Sequence, residues 1–484
     1  MTDQAGMSVG PAEPADRRRS DPSNCVKEVR AALPNSCRIG LLEHCGTGNL
    51  GDDATVTTVL QQINSRWPAA SVVGLSLDPE DSERRHGIPC FPIRQSVFPF
   101  EQEWSATSHP ASSGRYAQRL KSGLKKTGPL FRCVKAIRNT LIVRPAKFIK
   151  ETLFLGQSLL LACELDMIVI CGGGQLLDWG GPWAFPYTLF KWVLLAKLAH
   201  AKCIFLNNGA GPLDAPLSRW FVRRALAMAD YVSLRDRVSA EFIRKIGFRR
   251  KIAVVADSAW SLRLPDGLAT RQPEPKQELV IGIAPMAYGD SSRHWVDDRS
   301  GYWRLIEELA EFSGRMLDRG HRIALFSSDI WFDSQAIADL DAAIHRKYPA
   351  VAPDRVVRER VTGIGDLLAS LKSLDCYVTC RFHGVVFASL LNVPALALSP
   401  HPKVTTLMED MDLADYCVDI SRFSADDLVD RFDRLQADLK RVKSRISCHV
   451  TRSQSQLASQ FDGLFLMNAG TVDNKRALSI RSVR

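Results

Sequence analysis

The 484-residue chain is predicted to be an α/β protein: two Rossmann-like domains, each a parallel sheet flanked by helices, facing one another across a cleft. Short apolar runs alternate with stretches of helical periodicity from about residue 38 onward. That alternation occurs twice, and residues 265–277, with three prolines and several charges, separate the two series. The glycines, arginines, aspartates and histidine that could carry chemistry fall at the carboxyl ends of the apolar runs. Open α/β sheets bind ligands at that edge.

Residues 1–35 are polar and rich in proline and arginine, and read as a disordered tail. The first domain is expected over 36–264. Its first strand is 38–42, followed by a glycine-bearing turn and a helix carrying Val56, Val59, Leu60 and Ile63 at helical spacing. A strand follows at 71–77. Residues 79–150 read as a basic insertion, irregular to about 129, with an amphipathic basic helix at 130–143. Strands at 166–170, 203–206, 231–234 and 252–255 then alternate with helices at 187–200, 219–228 and 239–246. After the linker, the second domain is expected over 278–423. Its strands are 279–284, 323–326, 376–379 and 395–398; its helices lie near 302–319, 334–346, 366–373, 384–391 and 404–411. Residues 424–484 form a C-terminal helical segment and tail.

Composition excludes several classes. Apolar residues make up 45% and charged residues 24%, as in soluble globular proteins. The net charge of +10 is carried by one block: from Arg115 to Lys150 there are eleven Lys/Arg and no Asp/Glu. This block reads either as a solvated insertion or as a contact to an anionic surface. The twelve cysteines are scattered, with no Cys-x-x-Cys pair or zinc spacing, so a reducing compartment and no structural metal are expected. The N-terminus lacks the apolar core of a signal peptide, and no run reaches the roughly 18 apolar residues a spanning helix needs. A cytoplasmic location is the expectation.

The densest chemistry is Thr379-Cys380-Arg381-Phe382-His383-Gly384, where a buried strand meets a helix N-terminus. A fixed cation and a titratable base two residues apart suit a small, doubly charged anion. Arg235-Asp236 ends another strand. Asp236 is placed to cap the next helix, which leaves Arg235 as the freer anion ligand. Gly46-x-Gly48-x-x-Gly51 formally matches a dinucleotide fingerprint, with Asp78 where a ribose acid belongs. Asn49, Asp52 and Asp53 at the helix entry argue against a pyrophosphate there. They serve as helix caps or as ligands for an acceptor. Gly172, Gly173 and Gly174 permit close approach of a ligand or form a tight turn; the glycines of Asn208-Gly209-Ala210-Gly211-Pro212 read the same way.

In order and spacing, these pieces resemble the polysaccharide pyruvyl transferase family. They are Gly48-Asn49-x-Gly51-Asp52-Asp53, Gly172-Gly173-Gly174-x-Leu176-x-Asp178, Gly209-x-Gly211-Pro212, Ser233-x-Arg235-Asp236-x-x-Ser239, Asp257, Arg381-x-His383, Pro394 and Lys403. The resemblance covers about residues 38–420 and omits the tails and the basic insertion. It implies a GT-B-like fold and transfer of pyruvyl from phosphoenolpyruvate to a sugar of an exopolysaccharide or cell-surface glycan. It also implies a saccharide acceptor, often carried on a polyprenyl pyrophosphate, with no cofactor, metal or nucleic acid. On this basis His383 is the expected acid/base. Arg381, Arg235 and Lys403 are the expected anion ligands, and Asn49, Asp52, Asp53, Gly173 and Gly174 are expected to line the substrates. The helix at 130–143 either docks the enzyme peripherally at the inner membrane face or packs on its own domain. Two other functions stay open: a nucleotide-sugar glycosyltransferase, for which Glu409 and Asp410 supply carboxylates near Lys403, and a non-catalytic glycan- or anion-binding protein.

Overall fold

The structure, a computed structural model, describes residues 37–43, 48–95, 144–265, 277–289 and 298–481, with side chains omitted for 144–148 and 465–481. The expected basic helix at 130–143, Gly46 and nearly all of the linker lie outside these residues.

The first sheet contains β1 (Arg38–Leu42), β2 (Ser71–Ser76), β3 (Cys90–Pro92), β4 (Met167–Cys171), β5 (Lys202–Asn208), β6 (Tyr231–Leu234) and β7 (Ala253–Val254). Its order is β3-β2-β1-β4-β5-β6-β7, parallel throughout. Helices α1 (Leu50–Arg66) and α2 (Pro79–His86) connect the first three strands, and α3 (Arg144–Glu164) leads into β4. Next come α4 (Phe185–Leu198), α5 (Pro216–Met228) and α6 (Arg237–Lys245). The central strands read as uninterrupted apolar runs because both faces are covered by helices: all five residues of β4 are buried.

The second sheet repeats the plan with β8 (Val280–Ala284), β9 (Arg322–Leu325), β10 (Val356–Arg358), β11 (Cys376–Thr379), β12 (Ala395–Ser399) and β13 (Cys417–Asp419), ordered β10-β9-β8-β11-β12-β13. Its helices are α7 (Arg299–Asp318), α8 (Ser334–Lys347), α9 (Ile364–Ser373), α10 (Phe382–Leu390), α11 (Pro402–Asp410) and α12 (Ala425–Ala437). Chain direction across each sheet reverses between β1 and β4 and between β8 and β11. A crevice opens at the carboxyl ends of those strands.

The two crevices face each other and touch. Leu50 N–H donates to Ser328 O at 2.9 Å, and Ile330 N–H donates to Gly48 O at 3.0 Å. The last helix, α13 (Leu439–Arg481), leaves the second domain and returns to the first. There Gln460 hydrogen-bonds Asn207 and Ser233 at 2.9 Å, and Arg66 pairs with Asp462 at 2.7 Å. The C-terminal segment is therefore part of the first domain's packing as well as a tail.

The expected irregular stretch from 79 is corrected in its first part. Residues 79–92 fold as α2 and edge strand β3. Asp78, the formal ribose acid, instead N-caps α2, accepting from Asp81 N–H at 3.1 Å; Pro79 takes the first turn, and left-handed Gly87 ends the helix. The helix lacked a periodic signal because only Asp81 and Ser82 are buried. Strands β3, β10 and β13 escaped for a related reason. Each has three residues at a sheet edge with a single partner, too few for an apolar run.

Candidate active site

Every expected site residue that the structure describes lies at the carboxyl end of a strand, on the edges that meet across the cleft, but the residues fall into distinct groups. Arg381 follows β11 at the N-cap position of α10, and its side chain does not cap the helix. It forms a two-pronged ion pair with Asp333, Nε to Oδ2 at 2.9 Å and Nη2 to Oδ1 at 2.6 Å, and reaches Asp329 at 3.3 Å. Asp333 is fully buried and also accepts from Ser327 Oγ at 2.6 Å and Ala287 N–H at 3.1 Å. Burial opposes the Arg381 charge, but Asp333 and Asp329 outweigh it and lift its pKa further above the ordinary arginine value. Asp329 is pushed up by burial and by the charges of Asp333 and Asp52, against the pull of Arg381.

The second group crosses the cleft. His383, in the first turn of α10, places Nε2 3.6 Å from Oδ2 of Asp257 in the first domain. That is too long for a hydrogen bond and close enough for an ion pair. Asp257 caps the 3₁₀ turn 258–261 through Ala259 N–H at 3.0 Å and accepts from Arg235 Nη1 at 3.1 Å. Burial alone would raise the Asp257 pKa. The His383 imidazole, the Arg235 charge and the Ala259 N–H reverse that and hold it well below the usual carboxylate range. Arg235 is not the freer residue expected from sequence. Asp236 does cap α6, through Ser239 N–H at 2.6 Å, yet Arg235 is clamped by Asp257 and by Asp236 at 3.5 Å. The Arg235 guanidinium stacks on Phe382 at 4.5 Å and lies over Gly209, where an added Cβ would sit 2.7 Å from it.

Lys403 follows the N-cap of α11. Among the described residues no carboxylate lies within 4 Å of its amine. Burial, then the charges of Arg235 and Arg381, pull its pKa down to about 8, while Asp52 and Asp236 act weakly the other way. His401, the α11 cap, is lowered to about 4 by burial and by Lys403 and Arg235.

The remaining expected residues divide. Asn49 caps α1 by accepting from Gly51 N–H at 3.0 Å, and its backbone pairs with Asp329. Asp52 is buried against Gly173, where a Cβ would come 2.6 Å from Oδ1, and lines a small recess with Glu43, Thr55, Cys171 and Gln175. Gly173 needs its glycine, since its φ is +72°. A Cβ added at Gly174 would meet only Leu177 within 4 Å. Asp53 is tied to α2 by Arg85 at 3.1 Å.

Sequence reasoning missed Asp329 and Asp333 and gave Asp257 no role. All three follow strands, the criterion that found Arg235 and Arg381; the Ser-Ser-Asp run after β9 was the available signal. Glu409 and Asp410 are exposed at the last turn of α11, opposite the end that carries Lys403. They are misplaced for the ribose contact that a nucleotide-sugar enzyme would require.

The fold is similar to UDP-GlcNAc 2-epimerase from Neisseria meningitidis, solved bound to UDP-GlcNAc. The identity is 9% over 89% of this chain and 99% of that one, and the TM-score is 0.51. It is equally similar to the N-terminal domain of trehalose-6-phosphate phosphatase from Candida albicans, at 11% identity over 90% of this chain and 98% of that one, with a TM-score of 0.51. Such low identities speak for the fold alone, which is of the GT-B kind. The family model for polysaccharide pyruvyl transferase matches residues 49–402, from the cap of α1 to the first residue of α11. The match takes in His383, Arg381, Arg235, Asp257 and the glycine turns, and the chain belongs to the polysaccharide pyruvyl transferase family.

Proposed function

We propose that the chain transfers the pyruvyl group of phosphoenolpyruvate to two hydroxyls of one sugar, forming a cyclic ketal and releasing phosphate. The sugar belongs to an exopolysaccharide or cell-surface glycan and is presented on a polyprenyl pyrophosphate. The observation that carries this reading is Lys403. Its ammonium feels the charges of Arg235 and Arg381 and has no carboxylate within 4 Å among the described residues, which suits an anionic ligand. Arg235 and Arg381 are already clamped by aspartates, so they add field and shape while Lys403 supplies the uncompensated charge. Phosphoenolpyruvate brings a carboxylate and a phosphate to such a site.

Protonated His383 gives its proton to the methylene carbon of the enol phosphate, and the adjoining carbon becomes an oxocarbenium-like centre. A sugar hydroxyl attacks that centre and returns its proton to His383. The second hydroxyl then displaces phosphate, which leaves with the second proton. Asp257 Oδ2, 3.6 Å from Nε2, holds the imidazole in place across the cleft. Asp52 is the carboxylate available to the cationic centre, because Asp53 is engaged with Arg85. Phosphate release from phosphoenolpyruvate with a panel of lipid-linked oligosaccharides tests the reading. Turnover of a nucleotide sugar with no phosphate release from any pairing would overturn it.

A pH prediction arises here. Because the Lys403 pKa is lowered to about 8, its charge is present below that pH and lost above it. The kcat/KM for phosphoenolpyruvate is expected to fall as pH rises through about 8, since kcat/KM reports groups of the free enzyme. Lys403→Arg should move this limb out of the measurable range, and Lys403→Met should lower kcat/KM below about pH 8 and converge on wild type above it. A limb unmoved by Lys403→Arg assigns the titration to another group.

A further inference from the structure

Eight of the twelve large apolar side chains that are exposed among the described residues lie on α3, α4, α5 and the turn before α4. These helices form one layer, on the face of the first sheet away from α1. Leu153 and Leu160, two turns apart on α3, face outward while Phe154 and Leu161 face the core. Leu194 and Leu198 do the same on α4, and Leu217 and Trp220 on α5. Helix α4 is apolar nearly all round, a pattern of fully buried helices, and nine of its fourteen residues are buried, yet Leu194 and Leu198 are left exposed. Exposed apolar side chains gathered on one helical layer in this way point to an interaction site.

The patch has an aromatic centre. Trp183 packs tilted against Tyr187 at 5.4 Å and edge-on against Phe221 at 5.6 Å, and Phe190 meets Phe221 at 5.3 Å and Trp220 at 5.4 Å. Phe221 is buried, whereas Trp183 and Trp220 are 61% and 38% exposed. These rings lie at the N-terminal ends of α4 and α5, on the sheet edge that carries the cleft.

The surroundings are basic. Arg219, Arg223 and Arg224 are exposed on α5, which carries no acid, and Arg224 sits over the Trp220 ring at 5.8 Å. The basic stretch from Arg115 to Lys150 lies, in sequence, between residues that pack on α4 and the start of α3. It follows Ile93 and Arg94, which are bonded to Lys191, Trp192 and Thr188 of α4, and it runs into α3 itself.

We infer that the α3–α4–α5 layer docks on an anionic lipid surface, with Trp183 and Trp220 entering the interface and the arginines meeting headgroups. Tryptophan prefers that boundary, arginine can keep its stem in the apolar zone and its charge in the headgroups, and anionic lipid attracts the cations. A second copy of the chain fits poorly, because a two-fold contact over this face would set cations against cations. The docking is peripheral, since no described helix is long and apolar enough to cross a membrane. The inference does not depend on the pyruvyl chemistry.

Flotation of the full-length chain with vesicles of phosphatidylcholine, alone or mixed with phosphatidylglycerol, tests it. The chain should float with the mixed vesicles, and Trp183→Ser/Trp220→Ser should lower the partition coefficient about tenfold or more. Arg223→Glu/Arg224→Glu should act similarly, and Trp303→Ser, an exposed tryptophan of the second domain, should have no effect. Circular dichroism and the melting temperature of each variant confirm folding. Wild type that stays below the mixed vesicles, or a double-tryptophan variant that floats like wild type, overturns the inference. So does light scattering that shows a dimer broken by the tryptophan changes without flotation.

Discussion

Replacing His383 by alanine is expected to lower the kcat for phosphate release about 10²–10⁴-fold, the usual contribution of a positioned acid/base. The imidazole is the one titratable side chain of α10's first turn, and it sits between Asp257 and the backbone of Gly51. Without it no group on that helix can move a proton to the methylene carbon. The variant should still fold, because Asp257 retains Arg235 and the Ala259 N–H. A stability loss of about 1–3 kcal/mol is expected, the cost of leaving a buried charge with one partner fewer. His383→Gln refills much of the volume without a titratable group. It should recover the melting temperature while leaving kcat low. A binding protein without catalysis would show no phosphate release to lose, and wild-type kcat in the alanine variant would take His383 out of the reaction.

The two halves of the fold were legible because central parallel strands must be apolar on both faces and must alternate with helices. Strands 38–42, 231–234 and 376–379 are recovered residue for residue. What stayed hidden was in part local and polar, since α2 buries two residues and the edge strands are three residues long; α3, 21 residues long, was also given no element, its start being read as part of the basic insertion. The site was legible as a set of strand ends. Its wiring was not, because a sequence does not say which carboxylate meets which cation. Asp333 is 48 residues from Arg381, and Asp257 is 126 residues from His383. Asp53, adjacent to Asp52 and of the same type, is diverted to α2 by Arg85, a residue of the very helix the sequence concealed.

On the proposed reaction, that wiring couples the approach of the two domains to the chemistry. The first domain contributes Arg235, Asp257 and the backbone of Gly51, and the second contributes His383, Phe382 and Lys403. His383 meets Asp257 only when the two crevices are together. The backbone bridge from Gly48–Leu50 to Ser328–Ile330 sets that distance without involving any reacting group. Two clamped arginines are rigid before a ligand arrives, so less ordering remains to be supplied by binding. The unclamped Lys403 can then respond to the ligand.

Gly51→Ala isolates closure from chemistry. A Cβ at Gly51 would stand 1.9 Å from His383 Nδ1 and 2.3 Å from its Cγ, distances no real contact permits. The imidazole has little room to yield, with Phe382 and Phe387 at 5.2 and 6.1 Å on one side and Asp257 on the other. Gly51 lies in the first turn of α1 and is absent from the positive-φ positions, so alanine suits its backbone and should improve the helix by about 1 kcal/mol or less. The first domain should therefore remain folded while the methyl group holds the two crevices apart. About a 100-fold loss of kcat/KM is expected, the scale for misplacing a catalytic group by an ångström. Gly365→Ala, where a Cβ meets nothing within 4 Å, is the matched control and should be silent. The double variant Gly51→Ala/His383→Ala removes both the methyl clash and the acid/base. It should be as inactive as His383→Ala alone and no less stable than it, yet regain the compactness in solution scattering that Gly51→Ala loses. Such non-additivity is the mark of two residues in contact across the interface. Wild-type kcat/KM in Gly51→Ala would mean that turnover does not pass through this closed arrangement.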